Sequence, residues 1–251
     1  MDEEYSALHD SVDHLRRIVD RLEPSQLRQP AYPVGWSIAD VLSHIGSGAV
    51  ILRRRFDDIV GGRETEGEFS QSVWDEWSAK DPDAQAADAL VADAALLAGL
   101  DALDERHRGE FRFTMGPMDL NFMGFVGLRL NEHVLHTWDI EVAGQPAAVL
   151  PPGATLAVID NLELVARFAG RPTGSVRTVQ VRTTGPERGF TISLGTDSFE
   201  LIRSETTTDP DLEIPSEAFI RLVYGRLDPD HTPPVARGAV LEELRKAFPG
   251  L

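Results

Sequence analysis

Two segments of the chain carry histidine and carboxylate side chains at a spacing that suits metal binding. In RLNEHVLHTWDI (129–140), Glu132 and His136 lie four positions apart, which places them on one face of a helix. In GWSIADVLSHIG (35–46), His44 lies within a second helix-like run. Two histidine nitrogens and one carboxylate oxygen are a ligand set of open, catalytic zinc sites, where a further position is left for water or substrate.

The surroundings of these residues support two interpretations. The helix around Glu132 and His136 is strongly apolar and is expected to be largely buried, so the carboxylate needs a partner or a metal to offset its lost hydration. Bundle cores build metal sites from such residues on facing helices. Alternatively, His44 is a hydrogen-bonded core histidine, and Glu132 and His136 form a surface salt bridge. His133 is rotated about 100° from Glu132 around the helix and is not expected to be a ligand.

Two aspartates near these motifs have competing interpretations. Asp40 follows Ser37 by three residues, which favours a capping box at the start of a helix over the orientation of His44. Asp139 lies one turn past His136 and is expected either to orient that histidine or to contact a second domain.

Other polar and aromatic residues are also undecided. Arg129 is expected either to pair with Glu132 or to face an anionic ligand. Trp74 and Trp77 are expected either to line a cleft or to pack under a long loop. The histidines in polar surroundings are predicted to be solvated; they are His9, His14, His107 and His231.

Hydrophobic periodicity predicts helices through the first 145 residues. The four predicted helices cover about 3–22, the run from a cap at Ser37 to Gly61, 84–106, and the run from a cap at Asp119 to Gly144. A polar stretch over 63–83 separates the second helix from the third. Four amphipathic helices suggest a bundle.

Beyond AGQPAAVLPPG (143–153) the pattern changes. One helix is predicted over 154–169, then alternating strands in RTVQVRT (177–183) and GFTISLG (189–195), and further helices in PSEAFIRLVYG and AVLEELRKAFPGL. The sequence therefore predicts a two-domain α+β protein, with a four-helix bundle followed by a small α+β domain whose sheet is mainly antiparallel.

The bulk properties exclude several function classes. The formal net charge of −17 argues against binding nucleic acid or an anionic membrane surface. The absence of cysteine excludes disulfides, thiolate metal ligands and a cysteine nucleophile, so thiol chemistry would need a separate thiol molecule. No membrane span and no secretory signal are visible, and we predict a cytoplasmic protein. The sequence indicates no oligomeric state, and a monomer is compatible with it.

The two motifs, separated by a long helical region, resemble those of the mycothiol-dependent maleylpyruvate isomerase family. The resemblance extends over the whole chain. It implies a DinB-like metal-binding four-helix bundle over residues 1–147, followed by a sterol-carrier-like α+β domain over 148–251.

The resemblance also implies a ligand set. In that family a histidine of the second helix and a Glu-x-x-x-His pair of the fourth hold a metal, usually zinc, and these roles fall on His44, Glu132 and His136. The Trp-Asp step that follows the second histidine matches Trp138 and Asp139.

An arginine of the second domain is implied as a catalytic residue. RLVYGRLDP (221–229) resembles the segment in which family members carry a functional arginine near a Gly-Arg step. Arg226 fits that step best, with Arg221 as the alternative, and its role would be to bind a substrate carboxylate through two parallel hydrogen bonds. Without the resemblance, either arginine would be interpreted as a surface residue at a helix end.

The implied function is that of a zinc-dependent enzyme with mycothiol, a low-molecular-weight thiol, as co-substrate. The thiol would attack a small electrophile as thiolate. In the cis–trans isomerisation of a maleylpyruvate-type substrate it would be expelled again, whereas in S-transfer the thioether would be the product. Two alternatives stay open: a thiol-independent, metal-dependent hydrolase, and a non-catalytic metal-binding or interaction protein.

Overall fold

The protein consists of two compact units, Met1–Gln145 and Pro146–Leu251, in a computed structural model that describes residues 3–116, 118–236 and 238–250. The first unit is helical apart from a short hairpin, and the second contains a small sheet. This confirms the predicted α+β fold class. The DinB-like and sterol-carrier-like assignments of the predicted domains 1–147 and 148–251 stay predictions.

Long helices build the first unit. Its helices are α1 (Glu3–Val19), α2 (Ile38–Val60), α3 (Phe69–Ser78), α4 (Pro82–Ala102), α5 (Glu105–Glu110) and α6 (Phe122–Gly144). Strands β1 (Phe113–Met115) and β2 (Met118–Leu120) pair as an antiparallel hairpin before α6. Both α1 and α2 contact α4 and α6, so these four helices form a bundle around apolar side chains such as Leu8, Leu42 and Leu130.

Two helix starts differ from the sequence prediction. The N-cap of α6 is Asn121, whose side chain accepts a hydrogen bond from the amide of Gly124, whereas Asp119 lies in β2. Helix α4 begins at Pro82 rather than near residue 84. The side chain of Asp81 caps it by accepting a hydrogen bond from the amide of Ala84. Both caps are acceptors of the preferred kind, and the hairpin pairing decides between Asp119 and Asn121.

The predicted helix over 84–106 and the polar stretch over 63–83 are also corrected. Helix α4 ends at Ala102, and Asp104 caps the separate α5. The polar stretch contains α3, whose Val73 and Trp77 lie four positions apart and are both buried. One buried turn is thus enough to hold α3 against the bundle, because tertiary packing supplies most of the stability of a short helix.

The second unit packs helices on a mixed sheet. Its elements are α7 (Pro152–Ile159), α8 (Leu162–Ala169), β3 (Arg177–Thr184), β4 (Arg188–Leu194), β5 (Phe199–Ser204), β6 (Leu212–Pro215), α9 (Ser216–Val223) and α10 (Ala239–Ala247). The strand order is β5–β4–β3–β6, with β6 parallel to β3 and the other pairs antiparallel. The single helix predicted over 154–169 is wrong, because the chain turns at Asp160 and Asn161 between α7 and α8.

The core of the second unit lies on one face of this sheet. Val179 and Val181 of β3 are buried, as predicted from their alternation, and so is Phe190 of β4, whose ring packs 5.0 Å from that of Phe219 in α9.

Within the described ranges, no helix of either unit has the length and apolar character needed to cross a bilayer.

Candidate metal centre

His44 of α2 and Glu132 and His136 of α6 come together, each offering a ligand atom within 4.8 Å of the others. Nε2 of His44 lies 3.5 Å, and Nε2 of His136 3.6 Å, from Oε2 of Glu132. Zinc bonds to nitrogen and oxygen are about 2.0–2.2 Å long, so two ligand atoms of a tetrahedral ion lie about 3.3–3.6 Å apart. The donor types and these two separations therefore fit a zinc ion.

Helix α2 is fixed at its start by Ser37, which determines the position of His44 two turns later. The Ser37 hydroxyl accepts a hydrogen bond from the amide of Asp40 at 3.2 Å, and the Asp40 carboxylate accepts one from the amide of Ser37 at 2.8 Å. This is the predicted capping box, and it is confirmed. The described hydrogen bonds of the Asp40 carboxylate all go to Ser37, so Asp40 caps the helix rather than orienting His44.

His136 is oriented by Asp139 on the same helix. Oδ2 of Asp139 lies 2.9 Å from Nδ1 of His136, and the aspartate side chain is fully buried. A carboxylate that accepts a hydrogen bond from one ring nitrogen fixes the tautomer and makes the other nitrogen a better ligand. Of the two roles considered for Asp139, the structure therefore supports the orientation of His136.

The expected deep burial of the cluster is wrong for two of its residues. The side chains of His44 and Glu132 are 40% and 42% exposed, whereas that of His136 is 12% exposed. Loss of hydration at its carboxylate still raises the pKa of Glu132, but the contacts with His136 and His44 outweigh it and hold the pKa well below its usual range. The carboxylate is therefore ionised at neutral pH, as a metal ligand must be.

Trp36 is a residue of the site that the sequence analysis did not identify. Its ring lies 5.6 Å from that of His44 and is stacked almost parallel to that of His136 at 6.4 Å. Trp36 therefore lies beside both histidines and is itself 37% exposed, at the edge of the cluster. The available signal was its place directly before the cap of the helix that carries His44.

A cavity of about 360 Å³ opens beside His44. Trp74 and Trp77 both line it, so the interpretation as cleft residues holds, although Trp77 is also buried under Lys80, whose amino group lies 4.0 Å from the ring centre. Besides His44, the polar lining residues are Asp40, Ser43, Ser47, Ser78 and Gln85. Within the described part of the chain, its lining contains no arginine or lysine.

Arg129 takes neither of its two expected roles. It is buried, forms an ion pair with Asp93 of α4 and donates a hydrogen bond to the carbonyl of Ile45 at 3.0 Å. His133 belongs to the same buried cluster, with Nε2 3.0 Å from Asp93 and Nδ1 2.8 Å from the hydroxyl of Ser11. As predicted, His133 is not part of the metal cluster.

The histidines predicted to be solvated each contact a carboxylate. The pairs are His9 with Asp101, His14 with Glu141, His107 with Asp104 and His231 with Asp228. His107 is exposed, whereas the other three are half-buried, so simple solvation is wrong for those three.

The two candidate arginines of the second unit differ in their surroundings. Arg221 is 2% exposed, and its guanidinium binds both carboxylate oxygens of Glu217 at 2.8 and 3.0 Å, which gives it a structural role. Arg226 follows Gly225, whose φ of +70° needs a residue without a side chain, and it is half-buried. Its Nη1 donates a hydrogen bond to the carbonyl of Tyr224 at 3.0 Å.

Comparison with known proteins identifies relatives of the chain. No curated protein sequence matches it. The crystal structure of the mycothiol-dependent maleylpyruvate isomerase has a similar fold, with a TM-score of 0.63 and 14% identity over 94% of this chain and 95% of that one. A histidine-to-alanine mutant of that isomerase matches with the same values. The family model of the mycothiol maleylpyruvate isomerase N-terminal domain matches residues 8–141, and the chain therefore belongs to this family.

Proposed function

We propose that this chain is a mycothiol-dependent zinc enzyme, with His44, Glu132 and His136 as the metal ligands. The observation that carries the proposal is the convergence of their three ligand atoms within 4.8 Å at the edge of a cavity. Membership of the mycothiol maleylpyruvate isomerase family supports the thiol, and the absence of cysteine requires that the thiol come from a separate molecule.

Zinc would supply a Lewis acid that lowers the pKa of a coordinated thiol, so that the reactive thiolate is present at neutral pH. The chain's own residues prepare for this. Asp139 holds His136 in the tautomer that presents Nε2, and the negative charge of Glu132 is already in place. His44 lines the cavity and its side chain is 40% exposed, so the proposed ligand group is accessible from that side.

The lining of the cavity favours the thiol over a dianionic electrophile. The lining combines the faces of Trp36 and Trp74 with the hydroxyls of Ser43 and Ser47. Among the described lining residues, the one with a permanent charge is the acidic Asp40. Such a surface stacks and hydrogen-bonds a neutral polar molecule, and it would repel carboxylates. We propose that the body of the thiol binds here.

We further propose that Arg226 binds a carboxylate of the electrophile. A guanidinium matches a carboxylate with two parallel hydrogen bonds, and Arg226 stands at the Gly-Arg step that resembles the family's functional arginine segment. Arg226→Lys would keep the positive charge but lose the pair of parallel N–H donors. The KM for a carboxylate substrate is therefore expected to rise, while the zinc content stays unchanged.

Metal analysis of the purified protein tests the ligand set. The wild type is expected to hold about one zinc per chain, and His44→Ala is expected to hold much less, because three protein ligands are the usual minimum for such a site. His14→Ala is the matched control, since His14 also lies beside a glutamate, Glu141 at 2.9 Å, but away from the cluster. Equal zinc in wild type and His44→Ala would disprove the ligand assignment.

Incubation with mycothiol and maleylpyruvate, followed by mass spectrometry and chromatography, distinguishes the reactions. An isomerised product with recovered thiol indicates an isomerase, whereas a thioether product from a panel of electrophiles indicates an S-transferase. Hydrolysis of a compound from the panel in the absence of mycothiol would instead indicate a metal-dependent hydrolase. Zinc binding without any of these products would leave a metal-binding protein and overturn the thiol proposal.

A further inference from the structure

A second cavity, of about 400 Å³, lies in the first unit between the start of α1, helix α5 and the start of α6. Its lining residues include Tyr5, Arg108, Arg112, Phe122 and Met123. Phe122 is the first residue of α6, ten positions before Glu132, so the cavity lies about 15 Å along the helix from the proposed metal ligands. It is therefore separate from the centre described above.

Arg108 is held in this cavity by aromatic rings. Its guanidinium carbon lies 5.2 Å from the ring centre of Tyr5 and 5.0 Å from that of Phe122, and Nη2 donates a hydrogen bond to the carbonyl of Leu100 at 3.1 Å. Its Nε is buried and has no hydrogen-bond partner among the described residues. The guanidinium is thus fixed in place while part of its donor capacity is unused.

Arg112 brings a second positive charge to the same cavity. It is exposed, and its Nη1 donates hydrogen bonds to the carbonyls of Gly109 and Phe111 at 3.1 and 2.7 Å. In the ranges that the structure describes, neither Arg108 nor Arg112 has a carboxylate within ion-pair distance. Asp101, which is close to Tyr5, accepts hydrogen bonds from the Tyr5 hydroxyl and from His9 instead.

The start of α6 adds hydrogen-bond donors beside these arginines. Asn121 satisfies the amide of Gly124 with its side chain, at 2.8 Å, and that of Phe125 with its carbonyl, at 2.9 Å. The amides of Phe122 and Met123 have no partner within the helix, because the first turn of a helix leaves its N–H groups unpaired. Both residues line the cavity, where the positive end of the helix dipole favours an anion.

We propose that this cavity binds a small organic anion through a carboxylate or phosphate group. Arg108 and Arg112 supply the charge and the guanidinium donors, which match the planar oxygens of a carboxylate and the oxygens of a phosphate. The side chains of Phe122 and Met123 offer apolar contact to the body of the ligand. The volume of about 400 Å³ suits a small ligand. In a chain of net charge −17, an anion is expected to bind only where such cations are concentrated.

Calorimetric titration of the full chain with inorganic phosphate and with benzoate tests this site, in a buffer free of other oxyanions. Saturable binding of at least one probe is expected, and the two probes distinguish a phosphate from a carboxylate ligand. Arg112→Gln is expected to weaken binding about tenfold or more, since a hydrogen bond to a charged group contributes that much. Because Arg112 is exposed, this variant keeps the fold.

Two controls locate the binding. Arg106→Gln removes an exposed arginine of α5, the helix that also carries Arg108. Arg106 pairs with Glu110 and does not line the cavity, so this variant is expected to leave the affinity unchanged. His44→Ala is also expected to retain anion binding. The proposal is overturned if neither probe binds saturably, if Arg112→Gln binds as tightly as the wild type, or if His44→Ala abolishes binding.

Discussion

Helix α6 carries two histidines, three residues apart, whose surroundings are opposite. His133 is fully buried, and Ser11 and Asp93 lie 2.8 and 3.0 Å from its two ring nitrogens. His136 has one nitrogen 2.9 Å from Asp139, while its Nε2 lies near Glu132 and His44 beside solvent. Residue type and helical spacing therefore do not distinguish a candidate ligand from a structural histidine. The distinguishing feature of His136 is a ring nitrogen that converges with other donor atoms at an accessible edge.

The charges around the two histidines differ in the same way. In the buried cluster, burial raises the pKa of Asp93, but Arg129 and His133 outweigh it and hold that pKa below its ordinary value, while burial lowers the pKa of His133. The negative charge of Asp93 and the positive charge of Arg129 therefore balance each other beside His133, which is neutral. In the cluster of His44, Glu132 and His136, the described ion pairs of Glu132 go to histidines alone, and a cation would complete the charge balance.

The largest effect that tests this comparison is expected from Asp93→Asn. Removal of this carboxylate leaves Arg129 charged and buried without its ion-pair partner, so the free energy of unfolding is expected to fall by about 3–5 kcal/mol. Urea denaturation measures the change. The folded fraction should still bind zinc, because Asp93 is not a ligand.

Glu110→Gln is the matched control for Asp93→Asn. It removes one carboxylate from an exposed ion pair with Arg106, and the free energy of unfolding is expected to change by less than about 1 kcal/mol. If Asp93→Asn costs as little as Glu110→Gln, or if it abolishes zinc binding, the buried cluster is not the separate structural element described above.

Local patterns in the sequence predicted the features that lie within one helix. The spacing of Glu132 and His136, the capping box of Ser37 and Asp40, and the alternation in β3 each depend on neighbours a few residues away. Two features of the site depend on distant residues instead. Arg129 forms an ion pair with Asp93, 36 residues away in the sequence, and the ring of Trp36 stacks with that of His136 on α6. A single sequence carries no pairing signal for such contacts.

The missed helix boundaries have a similar explanation. The turn at Asp160 and Asn161 interrupts a run rich in alanine and leucine that contains no glycine or proline. The Asp-Asn step itself is the local turn signal, and it is weak. The choice of Asn121 over Asp119 as N-cap depends on the hairpin, in which Asp119 pairs with Thr114. In both places tertiary contacts override a local preference that is weak.

A smaller effect is expected at the metal cluster from Asp139→Asn. The hydrogen bond from Nδ1 of His136 to this carboxylate fixes the tautomer of the proposed ligand, and its loss is expected to weaken zinc binding about 10–100-fold. Competition with a chromophoric chelator measures the affinity. Glu141→Gln changes a carboxylate of the same helix that pairs with His14 and should leave zinc affinity unchanged. Wild-type affinity in Asp139→Asn would mean that His136 is positioned by its packing alone.

The smallest effect concerns the acid sensitivity of the buried cluster. The pKa of Asp93 in the folded protein is lower than its unfolded value of about 3.9, so its ionised form stabilises the fold above that pH. This stabilisation is lost as pH falls from about 5 towards the folded pKa. One such group changes the free energy of unfolding by at most about 1.4 kcal/mol per pH unit.

Asp93 itself shifts the pKa of His133, so the comparison is made with His133→Gln in both proteins. Urea denaturation between about pH 3 and 5, with chelator present, should then give a shallower pH dependence with Asp93→Asn than without it. Glu132 titrates in both proteins, so its contribution cancels from the difference between the two slopes. Equal slopes would mean that Asp93 gains its proton equally easily in the folded and unfolded states. In that case the contact with Arg129 would only offset the burial of the carboxylate, and the two clusters would not differ in charge compensation.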